Sequence, residues 1–460
     1  MKKLSKINID QIVGPAVFLI LILYVLAYGI LHFGGITFGP LANDYLIILL
    51  PIWLIDGCKS TIESLAPKRH YFTSGEDISK VTVIVACKDG QAVLGTTLRE
   101  LRRKFPPEQI IVASNGSTDM TTAIARSYRV VCLDYKEALG KVRAINQALE
   151  HVKTPYVLLI DDDTLLGGAR IPTGLLDDGY SAVAFRVFVK ETTWVSKLQM
   201  HEYRKSSDIG KRYHNKRGSV QNISGAIGLF PLPELVRQLK SHTGEFSGED
   251  LQRTLLIHLA NSGKGVVLAR SVVITEAPDT LIKLFKQRIY GWYPGLYANF
   301  GNYLKIIFNR RLPWVLRFDA VYNCFFVMIL DFLRLLSLPI LFFYPWYFIL
   351  TYVAYLLLEL VPYIRSGSVE PLWVILVYPL YGIFGLLTRV IACAILVYRR
   401  LIAKFGALVW VDDYRGAPKH LKVKSFLLTT GIVSVILLLN VIVNFSTIFT
   451  NFTFSQLFTH

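Results

Sequence analysis

The sequence predicts an α/β domain with a mostly parallel sheet, placed between α-helical membrane segments. Apolar runs of strand length alternate with helix-length segments from about residue 80 to residue 280, which is typical of a parallel sheet covered by helices. Carboxylates follow one such run, since Asp161-Asp162-Asp163 comes directly after Tyr156–Ile160. The chain has 460 residues, 53% of them hydrophobic, which is too apolar for an ordinary soluble protein.

The strands and helices of the middle region are predicted in chain order from hydrophobic periodicity. We expect strands at Val81–Ala86, Gln109–Ala113, Val130–Leu133 and Tyr156–Ile160, a strand-like run at Val220–Ile223, and helices at Val93–Lys104, Thr121–Ser127, Lys141–His151 and Leu251–Leu259. Because ligands bind where parallel strands end, the residues after each strand are the candidate site.

Five or six segments are candidates to cross a bilayer, which needs about 20 mainly apolar residues. The clear ones are Ile12–Leu31, Tyr45–Ile55 with its flanks, Leu336–Val361, Leu372–Val397 and Phe426–Ile448. The segment Phe318–Phe343 contains Asp331 and Arg334, so it either spans with its charges turned inward or lies along the interface.

Basic residues beside these segments predict the orientation of the chain. Clusters around Lys2, Lys59, Arg399 and Arg415 are expected on the cytoplasmic side, so an even number of crossings should separate Lys80 from Arg399. The first segment has no evident small-residue cleavage site and is interpreted as a retained anchor. We therefore expect an integral protein of the plasma membrane with a cytoplasmic middle domain.

The net charge of +17 could indicate nucleic acid. Much of the excess lies beside apolar segments, however, where topology and anionic lipid headgroups explain it, so membrane lipids are expected partners and nucleic acid is not. The five cysteines have no paired short spacing, which argues against a zinc site or a disulfide framework.

The carboxylates of Asp161, Asp162 and Asp163 emerge together at a strand end. A hard divalent cation takes oxygen ligands from carboxylates and phosphates, so this arrangement suits a metal-bridged diphosphate. The alternative is a solvated turn that caps a helix.

Three further segments precede this triplet in order, namely VTVIVACKDG, ASNGSTDMT and ALGKVRAINQAL, and the segment LLIDDDT carries the triplet itself. Together they resemble the nucleotide-sugar half of family 2 glycosyltransferases over roughly Lys80–Trp292. The resemblance implies a GT-A-type, Rossmann-like catalytic domain that binds Mg²⁺ or Mn²⁺. It also implies that the donor is bound by Asp89, Asn115, Lys141, Asp161 and Asp162, with Asp161 and Asp163 as metal ligands; the family usually has Asp-Asp where this chain has Ser114-Asn115.

Two later segments resemble the acceptor half of the same family. Ser224-Gly225 resembles its acceptor-side loop, and Gly248-Glu249-Asp250 resembles its Gly-Glu-Asp motif. The resemblance implies that Asp250 is the general base and that Glu249 lies at the acceptor. Without it, two acidic residues at a helix start could simply favour the helix dipole.

The segment Gln287–Trp292 resembles the Gln-x-x-Arg-Trp element of the processive members, which are similar to hyaluronan, chitin, poly-N-acetylglucosamine and cellulose synthases. It contains one residue more than that element, and its arginine, Arg288, comes early. The resemblance implies that Gln287 and Trp292 contact the acceptor, since an indole can stack on a sugar, and that Arg288 grips the diphosphate.

The domain boundaries follow from these segments. We expect N-terminal transmembrane helices over 1–65, the transferase domain over 66–280, amphipathic interface helices over 281–317, and a C-terminal transmembrane region over 318–460 with a cytoplasmic loop over 399–424. In that loop, Trp410 and Arg415 belong either to a gating loop or to an ordinary polar connection.

The predicted function is inverting, metal-dependent transfer from a nucleotide-sugar, expected to be a UDP-sugar, to a growing polysaccharide that the protein also passes across the membrane. One alternative is the transfer of a single sugar to a membrane lipid, which needs no pore. A second is a membrane transporter or scaffold with a degenerate transferase domain that binds nucleotide without turnover.

Overall fold

The middle of the chain folds around a seven-stranded mixed sheet, as seen in a computed structural model that describes residues 42–65, 71–242, 248–343 and 345–404. The strand order is β3-β2-β1-β4-β6-β5-β7. Strand β6 is antiparallel to both of its neighbours, and the other neighbouring pairs are parallel. The strands are β1 (Val81–Cys87), β2 (Ile110–Asn115), β3 (Val131–Tyr135), β4 (Tyr156–Asp161), β5 (Ala182–Val189), β6 (Ile227–Pro231) and β7 (Val266–Thr275).

Helices precede, cover and follow this sheet. Up to β7 they are α1 (Ala42–Ser64), α2 (Leu94–Lys104), α3 (Thr121–Ser127), α4 (Lys141–Leu149), α5 (Thr173–Asp177), α6 (Trp194–Lys205), α7 (Arg212–Asn215), α8 (Leu232–Ser241) and α9 (Glu249–Ala260). After β7 they are α10 (Leu281–Gln287), α11 (Tyr293–Ala298), α12 (Phe300–Phe308), α13 (Trp314–Val321), α14 (Met328–Phe343), α15 (Pro345–Ser366) and α16 (Trp373–Lys404). Three π-helical segments join neighbouring helices, at Ser206–Lys211, Arg288–Trp292 and Tyr322–Val327.

The sheet is buried on both faces, as the continuous apolar strands predict. Val83 and Val85 of β1 pack into the same core as Leu98 of α2. Ile84, which points to the opposite face, packs with Ile145 of α4. Full burial of each such side chain contributes about 1.5–3 kcal/mol, so the sheet holds the strand ends in fixed positions.

The strand ends place the candidate residues along one edge. In the parallel register Cys87 pairs with Ser114, and Ala86 pairs with Asp161. Strand β6 runs the other way, so the residues before it return to the same edge: the Asp161 backbone N–H donates to the Ala226 carbonyl over 2.9 Å. The antiparallel strand thereby brings the Ser224–Ala226 loop beside the carboxylate triplet.

The predicted α/β class is confirmed, and so is the strand and helix order up to Asp161. Helix α3 has the predicted bounds. The prediction of a strand at Val220–Ile223 is wrong. Val220 makes one backbone hydrogen bond to β7, and the N–H of Ile223 donates to the Thr254 side chain. Their apolar side chains lie in one buried core with Ile257 of α9 and Val266 of β7, and the strand begins only at Ile227.

Two helices of the described residues are long and apolar enough to cross a membrane, over Tyr347–Ser366 and Trp373–Leu396. The second agrees with the predicted span Leu372–Val397. The predicted span Leu336–Val361 is divided between two helices, because α14 ends at Phe343 and α15 begins at Pro345. The predicted spans Ile12–Leu31 and Phe426–Ile448 lie outside the described residues.

Candidate active site

A cavity of about 1320 Å³ lies where the carboxyl ends of β1, β2 and β4 meet the start of α9 and the segment after β7. Most of the residues predicted for donor, metal and acceptor contact line this one cavity. They are Asn115, Lys141, Asp161, Asp162, Asp163, Ser224, Gly225, Glu249, Asp250, Gln287 and Trp292. The triplet and Asp250, which are about 90 residues apart in the chain, therefore share a site, as the sequence predicts for groups that act on one sugar.

Lys141 joins the two acidic parts of the cavity. Its Nζ atom lies 2.7 Å from Asp161 Oδ1 and 2.8 Å from Glu249 Oε1. Burial works against the charged amine, but the two carboxylates outweigh it and raise the pKa of Lys141. Lys141 is therefore a fixed positive charge at the floor of the cavity, where a diphosphate would meet it.

Each carboxylate of the triplet has its own environment. Asp162 Oδ2 accepts a hydrogen bond from Cys87 Sγ over 2.8 Å, and Asp163 Oδ1 accepts one from Thr275 Oγ1 over 3.0 Å. Burial raises the pKa of Asp161 to about 6, with Lys141 opposing the shift and Asp163 adding to it. Burial also raises the pKa of Asp162 and Asp163. Such crowded carboxyls gain stability in the ionised form when a cation neutralises them.

Asp250 is held at the first turn of α9. Its Oδ2 accepts the Gly225 backbone N–H over 2.9 Å, and its Oδ1 accepts the Leu251 backbone N–H over 2.9 Å. Burial, followed by the neighbouring charge of Glu249, raises the pKa of Asp250. Although burial opposes it, Lys141 and then Arg253 hold the pKa of Glu249 below its usual value. The two adjacent carboxylates therefore differ, and Asp250 is the more basic one, as a proton acceptor requires.

Gly248 lets the chain enter α9 at this point. Its φ is +125°, a conformation that L side chains rarely adopt. A Cβ atom there would lie 3.2 Å from the Gly291 carbonyl oxygen. The start of α9, which carries Glu249 and Asp250, thus packs directly on the segment that carries Trp292.

Asp89 and Asn115 have local hydrogen-bond roles at the edge of the sheet. Asp89 is exposed beside the cavity and is not among the residues that line it; its Oδ1 accepts the Thr118 backbone N–H over 2.8 Å. Asn115 does line the cavity, and its Oδ1 accepts the Leu139 backbone N–H over 2.7 Å. Asn115 therefore supports the loop before Lys141, and the predicted nucleotide contacts of both residues remain predictions.

The structure brings Gln287 and Trp292 to the cavity but not Arg288. The Arg288 side chain is buried, and its Nη2 lies 2.5 Å from Glu202 Oε2. The predicted diphosphate contact of Arg288 therefore does not agree with this geometry: the guanidinium already has a carboxylate partner on α6. Trp410 and Arg415, the predicted gating residues, lie outside the described residues.

Several lining residues were not predicted from the sequence. Cys87 could have been found, because it ends β1 at the same edge as Asp161. Thr275 could have been found from the apolar run of β7, which it ends. Tyr203 of α6 and Phe384 of α16 also line the cavity, and no local signal marks them, because tertiary packing alone brings these helices to the sheet.

A second buried polar cluster lies away from this cavity, and it is the one group of three His, Cys, Asp or Glu side chains in the described residues whose ligand atoms lie this close together. Ligand atoms of Glu63, His214 and Asp319 lie within 4.8 Å of one another. Lys59 forms ion pairs with Glu63 and, over 3.3 Å, with Asp319. Since a lysine ammonium already supplies the positive charge, we interpret this cluster as an ionic junction between α1, α7 and α13.

Comparison with known proteins relates the part of the chain that carries this cavity to a known family. Residues 79–293 match the model of the family described as Glycosyltransferase like family 2. This part of the chain therefore matches a family 2 glycosyltransferase domain. The predicted GT-A-type α/β class is confirmed by this match together with the mixed sheet.

The curated relatives include poly-β-1,6-N-acetyl-D-glucosamine synthases. The protein of Staphylococcus aureus (strain COL) is 24% identical over 266 residues, which cover 55% of this chain and 64% of the relative. The protein of Staphylococcus epidermidis is 22% identical over 266 residues, which again cover 55% of this chain and 64% of the relative. The match thus spans less than two thirds of the length of these relatives.

Two solved structures are similar at low sequence identity. The mannosyltransferase PcManGT from Pyrobaculum calidifontis, in complex with GDP-Man and Mn²⁺, is 14% identical with a TM-score of 0.45 and covers 75% of this chain and 98% of its own. TarS of S. aureus in complex with UDP-GlcNAc is 14% identical with a TM-score of 0.38 and covers 71% of this chain and 92% of its own.

Proposed function

We propose that this protein is an inverting, metal-dependent hexosyltransferase that extends a polysaccharide from a nucleotide-sugar, expected to be a UDP-sugar. The observation that carries the proposal is the shared cavity, in which Lys141 bridges Asp161 and Glu249 while Asp250 lies one residue further on. Donor-binding and proton-accepting groups are thus within reach of a single sugar.

Asp250 and Lys141 have separate roles in the proposed reaction. Asp250 takes the proton of the acceptor hydroxyl as that oxygen bonds to the anomeric carbon. The bond from the anomeric carbon to the diphosphate oxygen breaks on the opposite face, which inverts the configuration. Lys141 stabilises the negative charge that develops on the departing diphosphate, so no protein acid has to protonate it.

The donor set of the triplet fits a divalent cation. Asp161 and Asp163 offer hard carboxylate oxygens whose pKa values are raised in its absence, and both line the donor side of the cavity. Mg²⁺ and Mn²⁺ bind through one or two carboxylates and complete their shell with phosphate oxygens. Bound there, the cation would supply further charge stabilisation for the leaving diphosphate.

A sugar acceptor is supported by the other side of the cavity. The Trp292 indole is 39% exposed there, and a pyranose ring can stack on such a surface. Among the described residues, Gln287 Oε1 is buried without a hydrogen-bond partner, so it can accept one from a sugar hydroxyl. The names of the curated relatives support a polysaccharide acceptor and make UDP-N-acetylglucosamine the first donor to test.

Membrane integration is supported by α15, α16 and the helices before them. Only 22% and 33% of the two candidate windows are buried, whereas the core helix of a soluble protein is mostly buried. Phe308, Trp314 and Phe318 are also exposed large apolar side chains, which suits helices at a membrane interface. Two crossings return the chain to the side of the catalytic domain, as the even-crossing rule requires. We infer a plasma-membrane protein with its domain in the cytoplasm, in contact with membrane lipids.

The test is to incubate the purified protein with UDP-sugars and Mn²⁺ or Mg²⁺, with and without lipid extract, and to measure the size of the products. Long chains made without added lipid are expected. Lipid that carries a single sugar would favour the lipid-acceptor alternative. Nucleotide binding with no transfer in any arm would contradict an enzymatic function.

A further inference from the structure

The π-helix Arg288–Trp292 explains the extra residue between Gln287 and Trp292. A π-helix closes hydrogen bonds five residues apart, one more than an α-helix, and such single turns are frequent at functional sites. Here the π-helix lies between α10 and α11. One additional residue is thus absorbed in the helix, and Trp292 still faces the cavity.

The same turn sends Arg288 away from the cavity and under the indole. The guanidinium carbon of Arg288 lies 3.6 Å from the centroid of the Trp292 ring. The Tyr203 ring lies 5.6 Å from the Trp292 ring, inclined by 46°. A guanidinium stacked on one face of an indole is attracted by the ring quadrupole, so Arg288 and Tyr203 together restrict the orientation of Trp292.

Arg288 is in turn held by Glu202. The Arg288 side chain is 1% exposed, and its Nη2 lies 2.5 Å from Glu202 Oε2. Tyr381 Oη donates to the same carboxylate oxygen over 2.8 Å. A charge as deeply buried as that of Arg288 needs a partner of opposite charge. If Arg288 moved to a diphosphate, the Glu202 carboxylate would lose this ion pair.

Glu202 is fixed because α6 is anchored on α15. On either side of it, His201 Nε2 lies 2.9 Å from Glu359 Oε1, and Lys205 Nζ lies 2.6 Å from Glu359 Oε2. Glu359 and His201 are both fully or almost fully buried. The turn of α6 that carries Glu202 is therefore tied to the C-terminal helices.

On the basis of the proposed function, we propose that Glu202 is a positioning residue for the acceptor: it holds Arg288 beneath Trp292, so that the indole presents one face to the pyranose ring at the end of the acceptor chain. Arg288 acts as a support for the indole and not as a diphosphate ligand. Because the start of α9 packs on Gly291 through Gly248, the support also fixes the distance between Trp292 and the base Asp250.

The test compares Glu202→Gln, which removes the charge that holds Arg288, with Arg288→Lys, which keeps the charge but loses the planar group that stacks on the indole. We expect both to lower kcat/KM for an oligosaccharide acceptor by about 10–100-fold, the size of a misplaced substrate contact, with KM for the UDP-sugar unchanged. Combined with Trp292→Ala, Glu202→Gln should add no further loss, because it acts through Trp292. Glu191→Gln, at an exposed carboxylate before α6, is the matched control and should behave as the native protein.

A second measurement needs no turnover. In protein labelled with 5-fluorotryptophan, the ¹⁹F resonance that is lost in Trp292→Ala identifies Trp292. It should be shifted or broadened in Glu202→Gln and Arg288→Lys and unchanged in Glu191→Gln. An unchanged resonance in Glu202→Gln would show that Glu202 does not position Trp292. A raised KM for the UDP-sugar in Arg288→Lys would show that Arg288 binds the diphosphate. Failure of the native protein to transfer sugar would instead contradict the proposed function and leave the resonance test valid.

Discussion

At the scale of single residues, Lys141 organises the candidate site. It lies within 2.8 Å of carboxylates from both β4 and α9, so it connects the proposed donor and acceptor sides of the cavity. A cation would compete with Lys141 for Asp161, and a diphosphate would compete with Asp161 and Glu249 for the Lys141 ammonium. Donor binding is thus expected to rearrange the charges next to Asp250.

Replacement of Lys141 should weaken donor binding. In Lys141→Ala the diphosphate loses a charge-assisted contact worth about 1.5–3 kcal/mol, so Kd for UDP should rise about 10-fold to 100-fold in calorimetry with Mn²⁺ present. Lys153→Ala, at a lysine outside the cavity lining, is the control. Equal UDP affinity in Lys141→Ala and the native protein would remove Lys141 from the donor site.

Cation binding should depend on pH through Asp161. Because its pKa in the cation-free protein is raised to about 6, Asp161 is protonated below that pH, and a cation must displace the proton. Mn²⁺ affinity should therefore fall about 10-fold per pH unit below pH 6 and level off above it. In Asp161→Asn the affinity should be low and should fall less steeply below pH 6 than in the native protein; the same slope in both proteins would contradict the assignment.

At the scale of elements, the parallel strands β1, β2 and β4 could be predicted, and with them the edge that holds Asn115 and Asp161. Their signal is local, because continuous apolar runs end in polar residues. Strands β5, β6 and β7 are not predicted from the sequence. The prediction of a strand at Val220–Ile223 is wrong because buried loop residues are as apolar as strand residues. The burial of Arg288 on Glu202 cannot be predicted from the sequence, since a π-helix, which 3.6-residue periodicity does not reveal, decides which way its side chain points.

The entry into α9 depends on the conformation of Gly248. A side chain at φ +125°, with its Cβ 3.2 Å from the Gly291 carbonyl, costs about 1–3 kcal/mol in strain. Gly248→Ala should therefore lower the stability to thermal unfolding and reduce sugar transfer, because the strain falls on the loop that carries Asp250. Gly75→Ala, where a Cβ would meet nothing within 4 Å, should do neither. Unchanged transfer in Gly248→Ala would show that the loop tolerates another conformation.

At the scale of the whole molecule, buried ion pairs attach the catalytic domain to the C-terminal helices. His201 and Lys205 of α6 hold Glu359 of α15, and Arg204 holds Glu370 over 3.0 Å. The cavity itself includes Phe384 of α16. The cavity is therefore lined by both parts of the protein.

Removal of Glu359 should loosen this attachment. Glu359→Ala leaves His201 and Lys205 facing an empty, dry position, and breaking a buried ion pair in this way costs about 3–5 kcal/mol. Chemical unfolding in detergent should show the loss, whereas Glu191→Ala should stay within about 0.5 kcal/mol of the native protein. A native-like Glu359→Ala would mean that the packing of apolar side chains alone joins the two parts.

The central claim is that one cavity holds a donor-binding carboxylate group and a separate base, and it is tested most directly by Asp250→Asn. UDP binding in the presence of Mn²⁺ and sugar transfer are measured on the same preparation, beside the native protein and Asp163→Ala. We predict that Asp250→Asn keeps UDP affinity and loses about 10²–10⁴-fold in transfer, whereas Asp163→Ala loses cation-dependent UDP affinity. Native-like transfer by Asp250→Asn, or an equal loss of UDP affinity in both variants, would contradict the account.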